Sequence, residues 1–142
     1  MSDKILLIDD EEDFVETLAE RMRSRDMNVS TSTSAIEALE KIDHESFDAI
    51  VLDLQMPGMD GLEALKRIKE KNPNLQVILL TGQATIEKSI EAMKLGALDL
   101  LEKPANLDTL TEKIQKASTE KMILMNKENE EKIKKILKGK AW

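Results

Sequence analysis

The sequence predicts an α/β fold: five strand and helix units in alternation, forming one doubly wound parallel sheet with helices on both faces. Three observations carry this. Short runs rich in Val, Ile and Leu alternate with stretches whose apolar residues recur at helical spacing. The runs at 5–8, 49–52 and 77–80 are continuously apolar, as strands buried on both faces must be. Four runs also end in reactive polar residues, Asp9-Asp10, Asp53, Thr81 and Glu102-Lys103-Pro104, and open α/β sheets bind ligands at the carboxyl edge of their strands.

The elements follow in order. Lys4 to Ile8 forms the first strand, after which Phe14, Val15, Leu18, Ala19 and Met22 share a helix face. Glu11, Glu12 and Asp13 open that helix, where acidic side chains complement the positive end of its dipole. A weaker strand, Asn28 to Ser32, leads to Ser34, a natural N-cap for a helix with Ile36, Leu39 and Ile42 inward. His44, near the end of that helix among polar residues, reads as an exposed bystander. The third strand ends at Asp53. The turn-rich Met56-Pro57-Gly58-Met59-Asp60-Gly61 joins it to a helix bearing Leu62, Leu65 and Ile68, which stops before Asn72-Pro73-Asn74. Strand four, Val77 to Leu80, precedes a helix with Ile86, Ile90 and Met93 that ends at Gly96. Strand five, Leu98 to Leu101, precedes one with Leu107, Leu110 and Ile114. Met22, Met93, Phe14 and Phe47 are assigned to packing.

A chain of 142 residues with 41% hydrophobic content suits a single globular domain. No apolar run reaches the length of a membrane span and the first residues lack a signal peptide's apolar segment, so a cytoplasmic protein without a membrane partner is expected. Cysteine is absent, which removes disulfides, thiolate metal sites and thiol nucleophiles. The net charge of −7 is uneven: residues 113–142 hold nine Lys against four Glu, or +5, leaving 12 basic and 24 acidic groups, or −12, in residues 1–112. An acidic body is unsuited to direct nucleic-acid binding.

The polar residues at the strand ends define a chemistry. Three carboxylates, Asp9, Asp10 and Asp53, converging from two strands repel one another and must either raise a pKa or hold a cation. Oxygen donors without His or Cys select a hard ion, and Mg²⁺ fits best because it takes a few carboxylates and completes its shell with water and phosphate. Asp53 stands alone at its strand end as the natural nucleophile for an aspartyl phosphate. Lys103 and the metal would neutralise phosphoryl charge, and the Thr81 hydroxyl would hydrogen-bond a phosphoryl oxygen.

Asp9-Asp10, the segment Val51 to Gly61, Thr81-Gly82 and the segment Gly96 to Pro104 together resemble the receiver domain of bacterial two-component response regulators over roughly residues 3 to 120. The resemblance implies a flavodoxin-like sheet of order 2-1-3-4-5 and a phosphorylation switch in place of an enzyme, with self-phosphorylation and autodephosphorylation chemistry of its own. It implies Asp53 as phosphoacceptor and Mg²⁺ ligand, Asp10 as a direct ligand, Asp9 as a ligand through water, and the Gln55 main-chain carbonyl as a further ligand. It implies Thr81 and Lys103 as phosphoryl contacts, a cis Lys103-Pro104 peptide, and a sensor histidine kinase or histidine phosphotransfer protein as donor, with an output protein unspecified. One departure bears on signalling: Leu100 stands where the family usually has Tyr or Phe, so the usual coupling of threonine to an aromatic ring lacks its ring. Ala105 likewise stands where an apolar ring is common.

Residues 1–120 are thus expected to form the receiver and 121–142 a helical tail or linker. The tail has no Pro and is rich in helix formers. Its apolar residues, Met122, Ile123, Met125, Ile133, Ile136 and Leu137, are separated by the polar stretch Asn126 to Lys132, which weakens a heptad pattern. A homodimer through this tail, ending at Trp142, or through the face of the fourth helix, fifth strand and fifth helix is anticipated. The alternatives are the receiver-plus-linker portion of a larger transcriptional regulator, a receiver serving only as a docking module, and a phosphatase of the haloacid dehalogenase type. The phosphatase is disfavoured because Gln55, two residues after Asp53, offers no acid or base.

Overall fold

The computed structural model describes residues 3–56, 58–83 and 85–139; Pro57 of the expected turn and Trp142 of the tail lie outside them. The chain runs β1 (Lys4–Ile8), α1 (Glu12–Arg23), β2 (Asn28–Ser32), α2 (Ala35–His44), β3 (Ala49–Asp53), α3 (Gly61–Lys71), β4 (Val77–Thr81), α4 (Ile86–Lys94), β5 (Asp99–Glu102) and α5 (Leu107–Gly139). All strand pairs are parallel, in the order β2-β1-β3-β4-β5.

Alternation along the strands explains the two layers. Leu6, Ile8, Ile50, Leu52, Val77 and Leu79 point to the face covered by α2, α3 and α4. Ile5, Leu7, Ala49, Val51, Ile78 and Leu80 point to the face covered by α1 and α5, where Val15, Leu18, Ala19, Met22, Leu110, Ile114 and Ala117 meet them. Period-two alternation in strands that are apolar at every position is what a sheet sandwiched by helices requires. Side-chain caps start four of the helices: Ser34 accepts from the Glu37 N–H, Asp60 from the Glu63 N–H, Thr85 from the Lys88 N–H and Asn106 from the Thr109 N–H.

Of two inward stripes expected from the sequence, that of α2 keeps Leu39 and Ile42 on the core and loses Ile36 to water, and that of α4 faces water throughout. On α2 the buried residues are Ala35, Ala38 and Leu39, and Ile36 is exposed. On α4 only Ala92 is buried, while Ile86, Ile90 and Met93 are 80%, 50% and 45% exposed. Helical periodicity detects a stripe without saying which side meets the sheet. The small Ala92 packs inward with Ala97 and leaves the larger Ile86, Ile90 and Met93 outside. Met22 is buried as expected and Met93 is not.

The fifth helix runs unbroken for 33 residues, Leu107–Gly139, and so continues past the domain. Leu110, Ile114, Ala117 and Lys121 form its buried seam, and the Lys121 ammonium donates to the Phe47 carbonyl. Farther along, Asn74 Nδ2 donates to Glu128 Oε2 at 2.7 Å. Among the described residues no helix is long and apolar enough to cross a membrane.

Gly61 fixes how α3 leaves the carboxyl edge. A Cβ there would lie 2.4 Å from Leu54 Cα and 2.8 Å from the Asp53 carbonyl oxygen, both backbone atoms that cannot swing aside. Gly61→Ala is therefore expected to lower the unfolding free energy by about 1–3 kcal/mol through overpacking. Gly82→Ala, with nothing within 4 Å, should change it by less than about 0.5 kcal/mol. Urea titration of the two variants checks the contrast.

Candidate functional site

The register brings the polar strand ends to one edge. Ile8 pairs with Leu52, Asp53 with Leu80, and Thr81 with Glu102, so Asp9, Asp53, Thr81 and Lys103 stand side by side at the sheet's carboxyl end. Backbone bonds hold these ends together: the Asp9 N–H donates to the Ser32 carbonyl at 3.1 Å, and the Lys103 N–H to the Thr81 carbonyl at 2.7 Å. The Lys103–Pro104 peptide is cis.

Asp9, Asp10 and Asp53 each offer a carboxylate oxygen, and these lie within 4.8 Å of one another. Asp9 and Asp53 are buried and Asp10 is half-buried. Two main-chain donors orient the buried pair: the Glu11 N–H donates to Asp9 Oδ1 at 3.0 Å and the Gln55 N–H to Asp53 Oδ1 at 3.3 Å. An all-oxygen set of three close carboxylates fits a hard divalent cation such as Mg²⁺.

The Lys103 ammonium, 15% exposed, answers part of this negative charge. It lies 2.7 Å from Asp9 Oδ2, 3.6 Å from Asp53 Oδ1 and 3.7 Å from Glu11 Oε1, and 4.4 Å from the centre of the Phe14 ring. Burial works against its charge, but the hydrogen bond to Asp9 and the charges of Asp53, Asp9 and Glu11 outweigh it and raise its pKa above the ordinary lysine value. Burial chiefly, then the charge of Asp9, with Asp10 adding to both, pushes the Asp53 carboxyl up to about 6 against the opposing pull of the Gln55 N–H and Lys103.

The structure thus assembles Asp9, Asp10, Asp53 and Lys103, with the Gln55 backbone beside them. Thr81 is fully buried at the same edge, but its hydroxyl is engaged within its own loop: it donates to the Gln83 carbonyl at 3.1 Å and accepts from the Gln83 N–H at 3.3 Å. Leu100 packs against the core under α3 and α4. Two neighbours of Lys103 had other assignments from sequence: Glu11 as a helix-dipole acid and Phe14 as packing. Their position at the helix start directly after Asp9-Asp10 is the only signal that hinted at more.

The sequence profile described as the response regulator receiver domain matches residues 5–115. This chain belongs to the response regulator receiver family. The receiver is 37% identical over 113 residues to the transcriptional regulatory protein ZraR of Escherichia coli K12, a match covering 80% of this chain and 26% of that one. It thus spans about a quarter of that relative's length. Among solved structures, a response regulator receiver domain protein from Clostridium thermocellum superposes with a TM-score of 0.82 at 32% identity, covering 87% of this chain and 99% of that one. The beryllofluoride-activated NtrC4 receiver domain dimer superposes with a TM-score of 0.78 at 33% identity, covering 83% and 98%. The protein is therefore a two-component receiver, a signalling switch, in which α5 is carried well past the matched region.

Because the folded-state pKa of Asp53 is raised, the protein holds a proton there that the unfolded chain has lost between about pH 4 and 6, and stability contributed by this group falls as pH rises through that window. Asp53→Asn, which removes the charge and keeps the shape, should therefore stabilise the metal-free protein by about 2–3 kcal/mol above pH 7, the gain fading toward pH 4. Denaturant titrations at pH 4.5, 6 and 7.5 test the sign.

Proposed function

We propose that this receiver is switched by phosphorylation of Asp53, with a phosphohistidine of a sensor histidine kinase or phosphotransfer protein as donor, and that it meets that donor in the cytoplasm. The observation that carries the reading is the meeting of three carboxylates with the Lys103 ammonium at the carboxyl edge of a receiver fold. In the transfer, an Asp53 carboxylate oxygen forms a bond to phosphorus while the donor's N–P bond breaks, the electron pair and then a proton going to the histidine nitrogen. Asp9, Asp10, Asp53 and the Gln55 carbonyl would hold Mg²⁺, which supplies charge neutralisation for the phosphoryl oxygens. Lys103 would exchange its bond with Asp9 for one with a phosphoryl oxygen. Thr81 would do the same by releasing the Gln83 carbonyl, which moves the loop into α4 and so reaches the exposed Ile86, Ile90 and Met93 face. Intrinsic self-phosphorylation from small donors and autodephosphorylation use the same groups.

With Mg²⁺ and acetyl phosphate, the full chain is expected to gain one acid-labile phosphoryl group on Asp53, acetate leaving. Intact mass and peptide mapping measure it. Undiminished single labelling of Asp53→Ala at a residue other than Asp9 or Asp10 would sink the assignment.

Residues 1–120 are read as the switch and 121–142 as a helical arm linking it to an output. ZraR is a transcriptional regulatory protein about three times as long as this chain, which favours the reading that this receiver and its linker serve a larger regulator. A second copy is the partner the arm fits. Along α5, Met122, Asn126, Asn129, Ile133 and Ile136 recur at spacings of four and three and are all exposed, so the polar stretch does not interrupt the stripe but places two asparagines in it. In a parallel, in-register pair each layer meets its own kind, and an asparagine at such a seam sets register at some cost in stability. No charge falls on the stripe. Sedimentation of the full chain and of one ending at Thr119, each with and without beryllofluoride, should show a dimer that requires the arm, and Ile133→Cys, in a chain otherwise free of cysteine, should cross-link to itself. A dimer retained by the shorter chain would assign the contact to the α4 face. Loss of the dimer between low and physiological salt would assign it to the +5 arm resting on the −12 body. Monomers throughout would remove self-association altogether.

A further inference from the structure

The Lys103 ammonium has a neighbour that carries no charge. The Phe14 ring, in the first turn of α1, places its centre 4.4 Å from Nζ, well inside the distance of about 6 Å at which a ring face attracts a cation. The attraction strengthens when the cation is withdrawn from water, and Lys103 is largely withdrawn. The ring cannot easily swing away, because it packs against the core between the sheet and α1 and α5 and walls a groove of about 160 Å³ with Thr17, Leu18, Arg21, Pro104 and Ala105. Aromatic side chains are scarce here. The chain has two Phe, no Tyr and one Trp, and Phe47 lies beside Lys4 and Glu45, away from the cluster.

The chemistry asks for such a contact. A carboxylate that holds Lys103 also neutralises it, and must be released before the ammonium can serve a phosphoryl oxygen. A ring face holds the same ammonium without forming an ion pair. It is also broad, so Nζ can slide from Asp9 toward Asp53 without leaving it.

We propose that Phe14 is a positioning residue for phosphoryl transfer: its ring face keeps Lys103 Nζ at the carboxylate cluster while the ammonium changes partners from Asp9 to the phosphoryl group on Asp53. The proposal rests on the reading of Asp53 as phosphoacceptor. It gives the site an aromatic contact from α1, at the lysine itself, where Leu100 supplies none from β5.

The test follows the rate of Asp53 labelling by acetyl phosphate and Mg²⁺ in the full chain. Phe14→Leu, which fills space without a polar ring face, should slow labelling about five- to tenfold, and Phe14→Trp should restore most of the loss. In a Lys103→Met background Phe14→Leu should add nothing, because the two residues act through one contact. Should Phe14→Leu perturb folding, 3,4,5-trifluorophenylalanine at position 14 preserves shape while draining charge from the ring face. It should slow labelling at unchanged melting temperature, and its ¹⁹F resonance should shift when beryllofluoride and Mg²⁺ are added, but not in Lys103→Met. A wild-type labelling rate in both Phe14→Leu and the fluorinated protein overturns the proposal, as does equal slowing with and without Lys103. Failure of the wild type itself to label at Asp53 instead overturns the parent reading.

Discussion

Mutual repulsion of three carboxylates at one edge of a buried sheet is the constraint on which the rest of this receiver depends. Asp9 and Asp53 are removed from water, and Asp10 closes on them. In a medium that screens poorly, such a cluster stands only with compensation. The fold meets part of this need by bringing Lys103 from the far strand, 94 residues along the chain from Asp9, and part with main-chain N–H groups at Glu11 and Gln55. Burial, and after it the repulsion that remains, appears as the raised pKa of Asp53. The site is strained toward cations and toward any group that takes charge off Asp53, which is the condition an aspartyl phosphoacceptor with a metal requires.

The architecture was legible because its signals are local. Continuous apolar runs gave the strands, and period-two alternation within them assigns Leu6 and Leu7 to opposite layers. Ser34 and Gly96 marked helix ends by mechanisms confined to a few residues. The gathering of Asp9, Asp10, Asp53 and Lys103 could also be anticipated, since parallel strands must end at a common edge. The orientation of α4 could not. A stripe of Ile86, Ile90 and Met93 announces a helix, but its facing depends on the small Ala92 fitting against Ala97, a tertiary fact. The same limit hid Ile36. Nor could spacing show that Lys103 prefers Asp9 to Asp53 or that the Thr81 hydroxyl turns back on Gln83.

The exposed stripes carry a stability cost that the fold tolerates elsewhere. Apolar surface left in water forgoes burial worth roughly 25 cal/mol per Å², so a chain whose only task was to fold would gain by turning Ile90 and Met93 inward or replacing them. The sheet has ample reserve, with β1, β3 and β4 almost wholly buried. In α4, by contrast, one buried alanine anchors nine residues. An element held this lightly responds to a small change at its N-terminal loop, and that loop contains the Thr81–Gln83 bonds. The light anchoring of α4 and the exposure of its apolar face are thus two results of one packing choice.

Leu100 sharpens the argument. A ring at that position would turn inward only if space opened behind Thr81, tying the threonine's motion to a rotamer change on β5. Leucine already packs into the core beneath α4 and has no polar tip to draw it elsewhere, so this link cannot carry the signal. Two links survive in the geometry: the loop from Thr81 into α4, through the backbone, and Lys103, through its contacts with Asp9, Glu11 and Phe14 at the start of α1. The first runs toward the unpartnered face of α4. The second runs toward α1, on the opposite layer beside α5, the helix that leaves the domain. A receiver wired in this way would inform both layers from one phosphoryl group, the backbone link serving α4 and the lysine link serving the side from which the arm emerges.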